Sequence, residues 1–207
     1  MRAFRNCAIL TLSALLMVGS SAQAVQFFTL NFEGLTELSE VANQYAAQHA
    51  TFSGATILTA GSSLNEIDFP PHSGTNVAHD FGTPVRIDFG LTAYDWSAYF
   101  TYNSAVTIKA WDESNNLLGI VNSSFSDNYV STGNPPNELL SFASATGFRA
   151  ITIEGSSGAG SVVFDDVSYT VADEPNPVPE PGTLVLFAGG LGLSGLAAAR
   201  RRLFPRR

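Results

Sequence analysis

The body of this chain, residues 25–172, is a succession of short apolar runs, each stopped within a few positions by Gly, Asn, Asp, Ser or Pro. That pattern rules out most helical architectures. The segments 25–32, 51–58, 85–89, 96–102, 105–111, 117–121, 139–143, 149–154 and 161–171 read as strands, rich in β-branched and aromatic residues. Val106, Ile108 and Ala110 alternate with Thr107, Lys109 and Trp111, the period of a half-buried strand, and 112–116 then turns the chain into Leu117. Leu35, Leu38, Val41 and Tyr45 recur at near-helical spacing, compatible with one short helix or with an irregular crossover. Strands at this spacing, without βαβ alternation, predict an all-β fold, an antiparallel β-sandwich of jelly-roll-like type.

Both ends of the chain carry apolar segments of another kind. Arg2 and Arg5 precede an apolar stretch over 7–18, and Ala22-Gln23-Ala24 supplies small residues for signal peptidase, so 1–24 reads as a secretory signal peptide cut after Ala24. The single cysteine, Cys7, leaves with it, and the mature chain is expected to fold without disulfides. At the other end, 182–199 is an uncharged run that forms a helix of ~27 Å, just sufficient to span a bilayer. Five of the ten basic residues follow within 200–207, led by Arg200, Arg201 and Arg202; this keeps the C-terminus cytoplasmic and the body outside. The letters of 190–195 fit a dinucleotide-binding pattern, but no strand precedes them and no acidic residue follows at the required distance.

Between body and span lies a proline-rich linker, 173–181, with prolines at 175, 177, 179 and 181 that favour extended, accessible backbone. Val178-Pro179-Glu180-Pro181, the hydrophobic helix and the arginine cluster, in that order, resemble the PEP-CTERM sorting signal of Gram-negative bacteria. The resemblance implies recognition by exosortase at Val178, Pro179, Glu180 and Pro181. The helix would hold the precursor in the inner membrane, and the product would go to the cell surface or the extracellular matrix.

The body's charge narrows the partners. Residues 25–174 hold three basic side chains, Arg86, Lys109 and Arg149, against seventeen acids, a formal −14. Such a surface repels phosphate backbones, so nucleic acid is excluded; calcium or uncharged sugars suit it better. Catalytic motifs are missing. His49, His72 and His79 form no metalloprotease or zinc spacing, and no nucleophile elbow occurs. His72, within the turn-rich 69–76, reads as an exposed loop histidine. Asp112-Glu113-Ser114-Asn115-Asn116 has calcium-loop composition, but an EF-hand needs glycine where Leu117 stands, so a turn is expected.

Two constellations remain as site candidates. Asn31-Phe32-Glu33 closes the first strand and Phe164-Asp165-Asp166-Val167 opens the last. Together they resemble the structural calcium site of jelly-roll carbohydrate-binding modules, which implies Glu33 and Asp165 as ligands with Asp166 in reserve. Strand alternation sends one of the two adjacent aspartates inward. For sugar binding, Tyr99 and Trp111 are the aromatics placed outward by the pattern.

These features predict an exported, non-catalytic surface or matrix protein that binds or organises exopolysaccharide. The alternatives are a structural, adhesive or ice-binding-like surface protein, the last requiring rows of threonine, and a glycan-active enzyme, which needs a carboxylate pair in a groove.

Overall fold

The structure, a computed structural model, describes residues 25–81, 83–155 and 161–173. The signal peptide, the Val178–Pro181 motif, the 182–199 span and the basic tail lie outside these residues. No helix among the described residues is long and apolar enough to cross a membrane.

Ten strands follow one another: β1 (Val25–Leu30), β2 (Glu40–Val41), β3 (Ala50–Ser53), β4 (Ala55–Thr59), β5 (Asn76–Asp80), β6 (Val85–Tyr102), β7 (Val106–Trp111), β8 (Leu117–Asn122), β9 (Glu138–Gly155) and β10 (Val162–Ala172). Among the described residues helix is limited to single 3-10 turns at Ala46–Gln48 and Val130–Thr132. Every strand pairing is antiparallel. The all-β expectation is met.

Two long strands organise the rest. β6 and β9 each span 18 residues and pair along their length. With its first half β6 joins β3, while the end of β9 carries β7 and then β8, making the ladder β3-β6-β9-β7-β8. With its second half β6 joins β10, whose far edge holds β5 at one end and β1 at the other. Register shifts at Asp88/Ala93 and Ala93/Asp95 mark the change of ladder, as bulges do where a strand bends.

The inward faces of both ladders merge in one core. Trp96, Phe100 and Phe164 from the second meet Ile87, Ile108 and Ile151 from the first, all at 1% exposure or less. Each such side chain contributes ~1.5–3 kcal/mol by leaving water. Phe164 stacks on Phe100 at 5.9 Å and takes the edge of Phe32 at 5.8 Å. One core shared by two ladders is consistent with a sandwich.

The structure refines the sequence reading at three places. The segment read as one strand over 51–58 is two, parted at Gly54, whose φ of +77° turns the chain from the first ladder (β3) into the second (β4). A Cβ there would sit 2.8 Å from the Pro84 carbonyl oxygen, so glycine is needed twice over. Residues 35–45 take the irregular alternative: Leu38 has φ +59° and donates its amide to the Ile57 carbonyl, while the Ile57 amide donates to Ser39. β5 was not foreseen, because Asn76-Val77-Ala78-His79-Asp80 carries loop-like residues on what is a buried strand. The 112–116 turn is as expected, with Asp112 accepting the amides of Ser114 and Asn116.

Candidate functional site

Loop 70–75, which leads into β5, is pinned by three carboxylates from the two ends of the body. Glu33, just past β1, accepts the Thr75 and Asn76 amides on Oε1 at 2.8 Å each and the Thr75 hydroxyl on Oε2 at 3.2 Å. From β10, Asp165 accepts the Ser73 amide at 2.8 Å, while Asp166 accepts the Ser73 hydroxyl at 2.9 Å and pairs with His72 Nδ1 at 2.6 Å. The His72 ring lies flat on Tyr99, centroids 3.4 Å apart and planes within 7°. Buried Asn76 completes the join by donating to the Phe32 and Leu35 carbonyls at 3.1 and 3.0 Å. Gly74 permits the approach: its φ is +55°, and a Cβ would fall 2.3 Å from the Glu33 carboxylate.

A bulge lets both aspartates reach the same loop. Asp165 pairs with Tyr99 and Ser168 with Ser97, so three steps on β10 oppose two on β6. Asp166 takes the extra place with φ +49°, a conformation aspartate tolerates. Simple alternation fails here. Asp165 is buried, but under the loop, since Phe164 and Val167 are the residues facing the core. Its burial, reinforced by the neighbouring Asp166 charge, pushes its carboxyl up to about 6 against the pull of the Ser73 amide. Burial also raises the Tyr45 hydroxyl, with lesser contributions from the Asp165 and Glu33 charges, which places both carboxylates near it.

Calcium needs six to eight oxygens free to face it. Here amide dipoles from Thr75 and Asn76 already point at Glu33, and those of Ser73 and Asp166 at Asp165. Among the described residues no group of three or more His, Cys, Asp or Glu could hold a metal. The donor set therefore does not fit calcium as folded. Glu33, Asp165 and Asp166 instead each hold a part of the same stretch, 73–76.

The aromatic pair is not brought together. Tyr99 lies on the β6-β10 side, half-buried beneath His72. Trp111 lies in the other ladder, half-buried, its Nε1 donating to Thr152 Oγ1 at 3.1 Å.

Next to the pinned loop, the outer face of β1-β10-β6-β9 is open, and strand-by-strand reading had missed it. Ser97 and Ser141, Ser168 and Thr29 alternate with buried or half-buried neighbours in four separate strands, and nothing in their sequence spacing links them. Phe27 projects from β1 with 68% exposure, and the surface dips into an open depression of about 190 Å³ lined by Phe27, Asp95, Ser97, Ser141, Ser168 and Thr170 among others. Thr170 Oγ1 donates to Asp95 Oδ2 at 2.9 Å.

Residues 177–202 match the PEP-CTERM protein-sorting motif. The sorting element thus begins just past the end of β10 at Ala172. No curated protein matches the chain. Among solved structures, the K2 cleaved adhesin domain of Lys-gingipain aligns at TM-score 0.45 with 13% identity, over 70% of this chain and 99% of that one. A mutant of the family 29 carbohydrate-binding module CBM29-2 aligns at TM-score 0.41 with 14% identity, over 75% of this chain and 100% of that one. Neither likeness, at such scores, bears on what this chain binds.

Proposed function

We propose that this chain is an exported protein of the cell surface or extracellular matrix, delivered by exosortase acting at its PEP-CTERM motif, with a body that binds or organises polysaccharide without catalysis. The export reading rests on the motif match at 177–202, together with the signal-peptide features ending at Ala22 and Ala24. The body is read as a jelly-roll-like sandwich built of the two ladders. The observation that carries the polysaccharide reading is the open, hydroxyl-lined sheet face beside the pinned loop. Among the described residues Asp95 is the one carboxylate lining that depression, whereas glycoside hydrolysis uses two; this supports a binding role.

The test is a pull-down of the full-length chain, purified in detergent, on exopolysaccharide from the producing cells, first with calcium and then with chelator. Saturable binding that survives chelation is expected. Absence of binding in both conditions would overturn the reading.

A second reading, a self-assembling structural protein, is favoured by β8. Leu117, Leu118 and Ile120 are 41–50% exposed on a strand that, among the described strands, pairs with β7 alone, and an uncovered apolar edge invites another strand. Sedimentation without polysaccharide distinguishes the two: concentration-dependent assembly, abolished by Ile120→Lys, would favour the structural role.

A further inference from the structure

Four hydroxyl residues line up across the open face. Register places Thr29 opposite Ser168, Ser168 opposite Ser97, and Ser97 opposite Ser141, so one residue from each of β1, β10, β6 and β9 stands in a single row. At the ~4.8 Å spacing of neighbouring strands the row runs ~14 Å, perpendicular to the chains. Such a row requires that register hold across three strand pairs. It does so because the bulges fall on either side, at Asp165/Ser168 and Thr170/Val171, leaving the 168–170 and 95–97 stretch regular.

The row is chemically uniform yet unevenly occupied. Thr29 and Ser168 bond to each other at 2.9 Å. The Ser97 and Ser141 hydroxyls have no side-chain partner among the described residues, and Ser141 is exposed. A hydroxyl both donates and accepts, so it complements another hydroxyl without fixed polarity. At the β1 end Phe27, two residues along that strand from Thr29, offers an exposed apolar ring. At the other side the row is bounded by Tyr99 under its His72 cover. Among the described residues Asp95 is the sole carboxylate lining the depression, on a body whose charge is strongly negative.

We propose that an uncharged polysaccharide lies across the strands on this face, its hydroxyls bonding to the Thr29-Ser168-Ser97-Ser141 row while Phe27 packs against the C–H surface of a sugar ring. The inference rests on the polysaccharide reading above and specifies its site, direction and ligand class. Anionic chains are disfavoured, since no cation lines the depression among the described residues and Asp95 repels carboxylate or sulfate. The row replaces water's hydrogen bonds one for one, so the ring contact supplies most of the affinity and the row supplies orientation.

Affinity electrophoresis of the full-length chain in detergent, in gels containing dextran, mannan, hydroxyethylcellulose or alginate, tests this directly. Retardation by at least one of the three neutral polymers and none by alginate is expected. Phe27→Ala should weaken that retardation at least tenfold. Ser97→Leu with Ser141→Leu, which fills the row, should do the same. Both variants alter outward-facing positions, and an unchanged melting temperature confirms that they fold; Ile120→Ser, on the other ladder, should bind as the parent does. If the parent binds a neutral polymer and both face variants bind it equally well, this site assignment is overturned and the polysaccharide reading stands. Equal retardation by alginate would overturn the ligand class. If no neutral polymer retards the parent, the broader reading falls and this inference with it.

Discussion

Glu33 receives three hydrogen bonds from a loop more than forty residues away, and an ionised acceptor makes each of them worth more than a neutral pair. Glu33→Ala should therefore lower stability by about 2–4 kcal/mol in urea denaturation, with Glu33→Gln costing less because it keeps an acceptor. Gly74→Ala attacks the same joint from the other side and should destabilise comparably, since it needs both a left-handed alanine and a displaced carboxylate. Because amides already occupy these carboxylates, chelator should leave the melting temperature unchanged; a drop of several degrees on chelation, restored by calcium, would refute the pinned-loop account. Asp165 sets the pH response. Its folded pKa of about 6 lies above the ordinary value of about 3.9, so the folded state holds its proton more tightly than the unfolded chain does. This group's contribution is favourable at low pH and diminishes as pH rises from about 4 to about 6. Asp165→Asn should remove that decline, so the stability difference between variant and parent should shift in the variant's favour across the window, as read by denaturation at each pH. The importance of Glu33 and Asp165 was legible from their place at the two ends of the body. Their partner was not, because Ser73, Gly74 and Thr75 in sequence are only an unremarkable turn.

β6 and β9 show why element boundaries were harder to read than element type. Each reads in sequence as two short strands because polar residues interrupt the pattern near its middle, at 90–95 and 144–147. In the structure these interruptions are where the strand leaves one ladder for the other, so the polar residues belong to a bend within a continuous strand. The alternation itself was reliable wherever register is regular: Trp96, Ala98 and Phe100 are buried, as are Val106, Ile108 and Ala110. It failed at the β10 bulge, where one residue is added without any residue type to announce it. Deleting Asp166 tests this reading. Removal of the extra residue would force the two flanks of β10 out of phase, turning Val167, Tyr169 and Val171 away from the core or Phe164 with them. Loss of the cooperative unfolding transition is expected, whereas Asp166→Asn, which keeps the count, should retain it.

Across the whole molecule, the first strand and the last are neighbours. β1 pairs with β10 from Val25 opposite Ala172 to Leu30 opposite Val167, and among the described strands β10 is its sole partner. Contacts so distant along the chain are slow to form, because the intervening loop must close before they are rewarded. For a protein made from its N-terminus, this arrangement acts as a clock. The leading strand has no place to dock until the final strand has emerged, and the sorting element follows that strand almost immediately. The fold is therefore complete only once β10, the strand just ahead of the sorting motif, has joined β1 on one side and β6 on the other.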